Sequence, residues 1–240
     1  MEIARHSRNV AAGLGVGAAA GFMAWAVRGR ASSVFGPSLW RGNRGQRSLA
    51  LTFDDGPSEG TPKILEILER YAVPATFFQI GANVARLPGI ARAVRDAGHS
   101  VGNHTYHHRL ACFRSRSFLE QELSTAQSVI EAATGRKPQW FRAPYGVRWF
   151  GLRDALDRLG LDAVMWTVIG YDWKRPAGAV VNRVAAQVSN GAILCLHDGR
   201  ELGRNPDIRA TLDAVRHLVP MLLDRGFRFE SLEQLLCQTN

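Results

Sequence analysis

The sequence predicts an α/β fold on a parallel sheet, preceded by an apolar N-terminal segment. Short apolar runs alternate with segments whose apolar residues recur every three or four positions. Polar clusters follow five of those runs. The chain has 240 residues, 46% of them hydrophobic and 21% charged, enough for one domain with a sizeable core.

The N-terminal segment comes first. Residues 10–27 carry no charge; Arg5 and Arg8 precede them, and Arg28 and Arg30 follow. Residues 1–31 therefore read as a signal peptide or a short membrane anchor. Arginines on both sides leave the orientation open. The expected location is the cell envelope, exported or anchored, with the cytoplasmic face of the membrane as the alternative. Residues 32–47, rich in Gly, Ser and Arg, read as a linker, and 48–240 as the main domain. The net charge of +9 is concentrated here: residues 1–47 hold seven arginines against Glu2. The body has no basic run with interleaved aromatics, so no nucleic-acid partner is expected. Cys112, Cys195 and Cys237 are too few for a disulfide scaffold and form no CxxC pair. Cys195 reads as a buried small hydrophobe.

Seven strands are expected, at 49–53, 75–80, 100–103, 140–142, 163–168, 192–196 and 228–230. Helices are expected at 61–71, 89–97, 117–134, 152–159, 178–189 and 207–224. Pro62 suits a first helical turn, and Ser117 with Glu120 resembles a capping box. Gly98, Gly160 and Gly226 each stop a helix before the next strand. Strand–helix alternation implies right-handed parallel crossovers. An open doubly wound sheet and a barrel both satisfy it; convergence of five clusters on one rim is easier in a barrel.

The clusters carry chemistry. Thr52-Phe53-Asp54-Asp55-Gly56-Pro57 sets two carboxylates side by side at a strand end, and Gly-Pro turns the chain away. Adjacent residues on an extended chain point differently, so one aspartate can face a metal and the other a substrate. His104 and His108 are four residues apart; on a helical turn both imidazoles share one face and hold one cation, with His107 as a competing partner. Asp55 would complete a His₂Asp site whose open positions mark a catalytic metal. Arg142, Tyr145, Asp172, Trp173 and His197 sit at the other strand ends.

TFDDGP at 52–57, HTxxH at 104–108, RxPYG at 142–146, DW at 172–173 and LHD at 196–198, in that order, resemble the polysaccharide deacetylase family (carbohydrate esterase family 4, the NodB-homology domain). The resemblance spans roughly residues 47–236. It implies a distorted (β/α)7 barrel, TIM-barrel-like, and a hydrolase that removes N-acetyl groups from amino sugars with a divalent metal, zinc first and cobalt or another transition ion as alternatives. By resemblance Asp55, His104 and His108 would be metal ligands, Asp54 the general base and His197 the general acid. Arg142 would hold Asp54, Asp172 would orient His197, the Tyr145 backbone N–H would serve the oxyanion, and Trp173 would line the groove. The expected substrate is an N-acetylated amino-sugar glycan or a lipid-linked saccharide.

One departure stands out. The family often has aspartate three residues before the Asp-Trp aspartate; here Ile169 stands there. Arg109, Arg114 and Arg116 form a basic loop after His108, which suggests an anionic or phosphate-bearing sugar. Two rival readings are a hydrolase of a small amide on the same barrel and an inactive, membrane-tethered sugar-binding barrel. Binding alone needs neither an acid nor a base, so Asp54 and His197 together argue against the second.

Overall fold

The computed structural model describes residues 17–237, so residues 10–16 of the apolar stretch lie outside the described chain. Residues 17–28 form a helix, α1. Among the described residues no helix is long and apolar enough to cross a membrane.

The body runs β1 (Ser48–Gly56), α2 (Thr61–Arg70), β2 (Ala75–Gln79), α3 (Gly81–Arg86), α4 (Pro88–Asp96), β3 (Ser100–Asn103), α5 (Arg116–Thr134), β4 (Trp140–Phe141) and α6 (Leu152–Leu159). It continues through β5 (Asp162–Ala163), β6 (Val168–Ile169), α7 (Ala177–Gln187), β7 (Ala192–His197), α8 (Arg209–Asp224), β8 (Arg228–Phe229) and α9 (Leu232–Cys237). All pairings are parallel, in the order β5-β4-β3-β2-β1-β7-β6, with β8 added beside the start of β1. This is the expected distorted barrel, left incompletely closed between β5 and β6.

The strand expected at 163–168 is two short strands flanking a seam. Arg142 explains the break: its guanidinium donates to the carbonyls of Val164 and Met165 at 3.2 Å each, so these cannot serve a regular ladder. Leu39 bridges the same seam, donating to Ala163 O at 2.8 Å and accepting from Met165 N at 2.7 Å. Helices α3 and α9 were not expected from periodicity; each is only six residues long.

Side-chain alternation along β1 and β7 builds two layers. Leu49, Leu51 and Phe53, with Ala192, Leu194 and Leu196, pack outward against α2, α7 and α8. Ala50 and Ile193 face the barrel interior, where Leu232, Leu235 and Leu236 of α9 plug the N-terminal end. Thr52, Asp54, Cys195 and His197 continue that inward face toward the opposite rim.

The N-terminal segment packs on this body. Ala26 and Val27 at the end of α1 are buried beside α5 and α6. Residues 29–38 wrap the buried side chain of Arg148, which donates to carbonyls of Gly29 and Ser32 and to the Ser38 hydroxyl.

Candidate active site

Asp54 and Asp55 end β1, and the β1–β2 register shifts between Asp54 and Gly56. Asp55 has φ +73°, so the bulge suspends the alternation and both carboxylates line one cavity of about 410 Å³. Gly56 is required: a Cβ there would strike the Asp198 carboxylate. Thr105, His108, Tyr145, Tyr171 and Glu201 also have positive φ. Strained backbone thus gathers on this rim, as it does at functional sites.

His104 and His108 converge on Asp55, their Nε2 atoms 3.4 and 3.2 Å from its Oδ1. The helical turn expected from their spacing is not formed; the segment is an irregular loop. Convergence comes from local side-chain bonds: Asn103 Oδ1 accepts from Thr105 N at 2.9 Å and Thr105 Oγ1 accepts from His108 N at 3.0 Å. His107 points away. Its Nδ1 lies 2.6 Å from Glu122 Oε1, and its backbone N–H donates to Oε2 at 2.8 Å.

This group fits a metal. The donor atoms of Asp55, His104 and His108 lie within 4.8 Å of one another, and all three residues are buried. His104 Nδ1 is 2.7 Å from the Arg142 carbonyl. A carbonyl only accepts, so Nδ1 carries the hydrogen and Nε2 keeps its lone pair for a cation, the usual support of a metal-binding imidazole. Burial pushes His108 down to about 4, keeping it neutral. Burial alone would raise Asp55, but the protonated His197 across the cavity and the two flanking imidazoles hold its carboxyl well below the usual carboxylate range. A second group, Asp54, Cys195 and His197, is equally compact but fits poorly. Burial and the adjacent Asp54 keep the Cys195 thiol protonated, and Asp54 already holds the Arg142 guanidinium.

Arg142 is fully buried, unlike a strand-end surface arginine. It donates to Asp54 Oδ1 and Thr52 Oγ1 at 2.7 Å each and lies 4.1 Å from the Phe78 ring centre. Across the cavity, His197 Nδ1 is 2.9 Å from Asp172 Oδ1. Burial opposes charge on this imidazole, but Asp172 outweighs it and lifts His197 to about 9. Trp173 packs edge-on against His197 at 4.6 Å, and Tyr145 against His108 at 4.8 Å. The Tyr145 hydroxyl donates to Glu201 at 2.8 Å. Ile169 lines the same cavity.

None of the arginines of the basic loop lines this cavity. Arg109 borders a separate hollow with His107, Arg114 stacks over Phe118 and Arg116 pairs with Asp154. Sequence reasoning missed several supporting residues. Thr211 Oγ1 donates to Asp172 Oδ2 at 2.6 Å. Glu201 N donates to Asp55 Oδ2 at 3.1 Å, and Asn83 ties the Asp55 and Glu201 carbonyls together. Trp166, Tyr171 and Arg28 complete the walls.

The chain matches the family model described as polysaccharide deacetylase over residues 41–164. It is 36% identical to a chitooligosaccharide deacetylase of Azorhizobium caulinodans, covering 83% of this chain and 99% of that one. It is 32% identical to a peptidoglycan-N-acetylglucosamine deacetylase of Bacillus cereus, covering 82% and 92%. Among solved structures, a family pseudoenzyme from Bacillus anthracis superposes with a TM-score of 0.76 at 29% identity, covering 82% of this chain and 68% of that one.

Proposed function

The chain belongs to the polysaccharide deacetylase family, hydrolases of carbon–nitrogen bonds, and from that premise we propose that it removes the acetyl group from N-acetylated amino sugars of a glycan or lipid-linked saccharide. The observation that carries this reading is the pairing of Asp54 and His197 in one cavity with the Asp55–His104–His108 donor set.

Asp55, His104 and His108 would hold a divalent cation, zinc by the nature of the donors, and when bound it would supply Lewis acidity to the amide carbonyl and to a water. Asp54 takes the proton of the attacking water, and Arg142 and Thr52 fix the angle of its carboxylate. The backbone N–H of Tyr145 donates to the developing oxyanion. His197, protonated at neutral pH through Asp172, delivers its proton to the departing amine. Trp173 and Tyr171 offer aromatic faces to the sugar rings. Asp54 as base and His197 as acid divide the two proton transfers.

The pseudoenzyme likeness raises an inactive sugar-binding barrel as the rival; retention of both Asp54 and His197 argues against it. We also propose a cell-envelope location, exported or anchored, supported by the charge-free stretch at 10–27. The test is acetate release from N-acetylglucosamine oligomers of graded length, with chelator and with zinc restored. Metal-dependent release rising with length is expected. Absence of release from every oligomer, with metal bound, would overturn the proposal.

A further inference from the structure

A second cavity, about 260 Å³, adjoins the catalytic one. The two share Arg28, Tyr145, Trp166, Ile169 and Tyr171 as walls, so they lie side by side on the same rim. The side cavity is lined by three arginines, Arg28, Arg30 and Arg183, and by no carboxylate. Glu201, Asp54 and Asp55 line only the catalytic part.

Among the described residues, none of the three arginines forms an ion pair. Each spends part of its fork on backbone carbonyls. Arg28 donates to Tyr145 O at 3.4 Å, Arg30 to the carbonyls of Trp166 and Thr167, and Arg183 to Ile169 O at 2.8 Å. A guanidinium has five donors, so donors remain for a ligand. Their positions are built rather than incidental. Arg28 follows the buried pair Ala26–Val27, and the Val27 carbonyl accepts from Arg148 N at 3.0 Å. Arg183 is also stacked 4.7 Å from the Tyr171 ring centre. At the junction of the two cavities, Ile169 is neutral and repels no anion.

We infer that Arg28, Arg30 and Arg183 form a subsite for an oxyanion, a carboxylate or phosphate, on the sugar next to the one deacetylated. The inference rests on the deacetylase reading for the placement of the sugar chain. Guanidinium forks match the planar or tetrahedral oxygens of such groups. The N-terminal segment, outside the region matched by the family model, thereby sets substrate choice.

The full-length protein is given three tetrasaccharides: neutral chitotetraose, one with a lactyl carboxylate on alternate residues, and one phosphorylated at a sugar hydroxyl. The expected result is a kcat/KM preference for a charged substrate over the neutral one, carried by KM and weakened by salt. Arg28→Gln should lower the charged-to-neutral ratio roughly three- to fivefold, and Arg28→Lys should recover part of it. The two charged arms decide between carboxylate and phosphate. A wild-type ratio of one, or a ratio unmoved by Arg28→Gln, overturns the subsite while acetate release from chitotetraose still upholds deacetylation. If no substrate is hydrolysed, the deacetylase reading fails instead. Calorimetric titration of the same three substrates into the inert protein then judges the subsite by the same ratio of affinities.

Discussion

Asp172 grips His197 twice: its Oδ1 lies 2.9 Å from the imidazole Nδ1, and its Oδ2 accepts the His197 backbone N–H at 2.9 Å. The carboxylate thus fixes both the ring and the strand end that carries it. Nδ1 is the bound nitrogen, so Nε2 is the one left for the substrate.

The activity profile should follow from this pair. His197 is raised to about 9, so turnover that needs its proton holds through neutral pH and falls as pH rises through about 9. Asp172→Asn should move that alkaline limb toward 6.5, the ordinary histidine value, and cut kcat. The raised pKa also stabilises the fold fully below about 6.5, a contribution lost as pH rises through about 9. An alkaline limb unmoved in the Asn variant would remove His197 from its role.

The Arg142–Asp54 pair is enclosed on all sides. Removing one partner of a buried ion pair costs about 3–5 kcal/mol, so Arg142→Met should lower the melting temperature by many degrees as well as abolish turnover. A melting curve matching the wild type would show that the guanidinium is not needed to hold the seam at Val164 and Met165 or the base.

Metal stoichiometry should separate neighbouring histidines. His104→Ala and His108→Ala should lose bound zinc, measured by elemental analysis after dialysis. His107→Ala should keep one zinc per chain, because its ring is committed to Glu122. Loss of zinc in the His107 variant would put that residue at the metal.

Acid stability has a different origin. Burial pushes His99, packed against Phe77, down to about 4. Its neutral form contributes stability that is whole above about 6.5 and lost as pH falls toward 4. His99→Leu should flatten this acid slope by about 2 kcal/mol at pH 5, roughly 4–8 °C. An unchanged slope would assign it to other groups.

Much of this was legible in the residues. Short apolar runs alternating with helix-period segments mark the sheet, and the order of the five polar clusters marks the rim. Local patterns reach only neighbours in sequence. The strand at 163–168 looked continuous because nothing near it announces that Arg142, more than twenty residues earlier, claims its carbonyls. The imidazoles at 104 and 108 come together on Asp55, but through Thr105 and its hydroxyl and not through a helical turn. The contact of Arg28 is equally non-local: it reaches Tyr145 across 117 residues.

The most direct test combines zinc binding and turnover in Asp54→Asn. One zinc per chain should remain, while acetate release from N-acetylglucosamine oligomers falls by about 10²–10⁴-fold, the contribution of a positioned base. Full activity in that variant would contradict the account, since the carboxylate held by Arg142 and Thr52 would then not be the base.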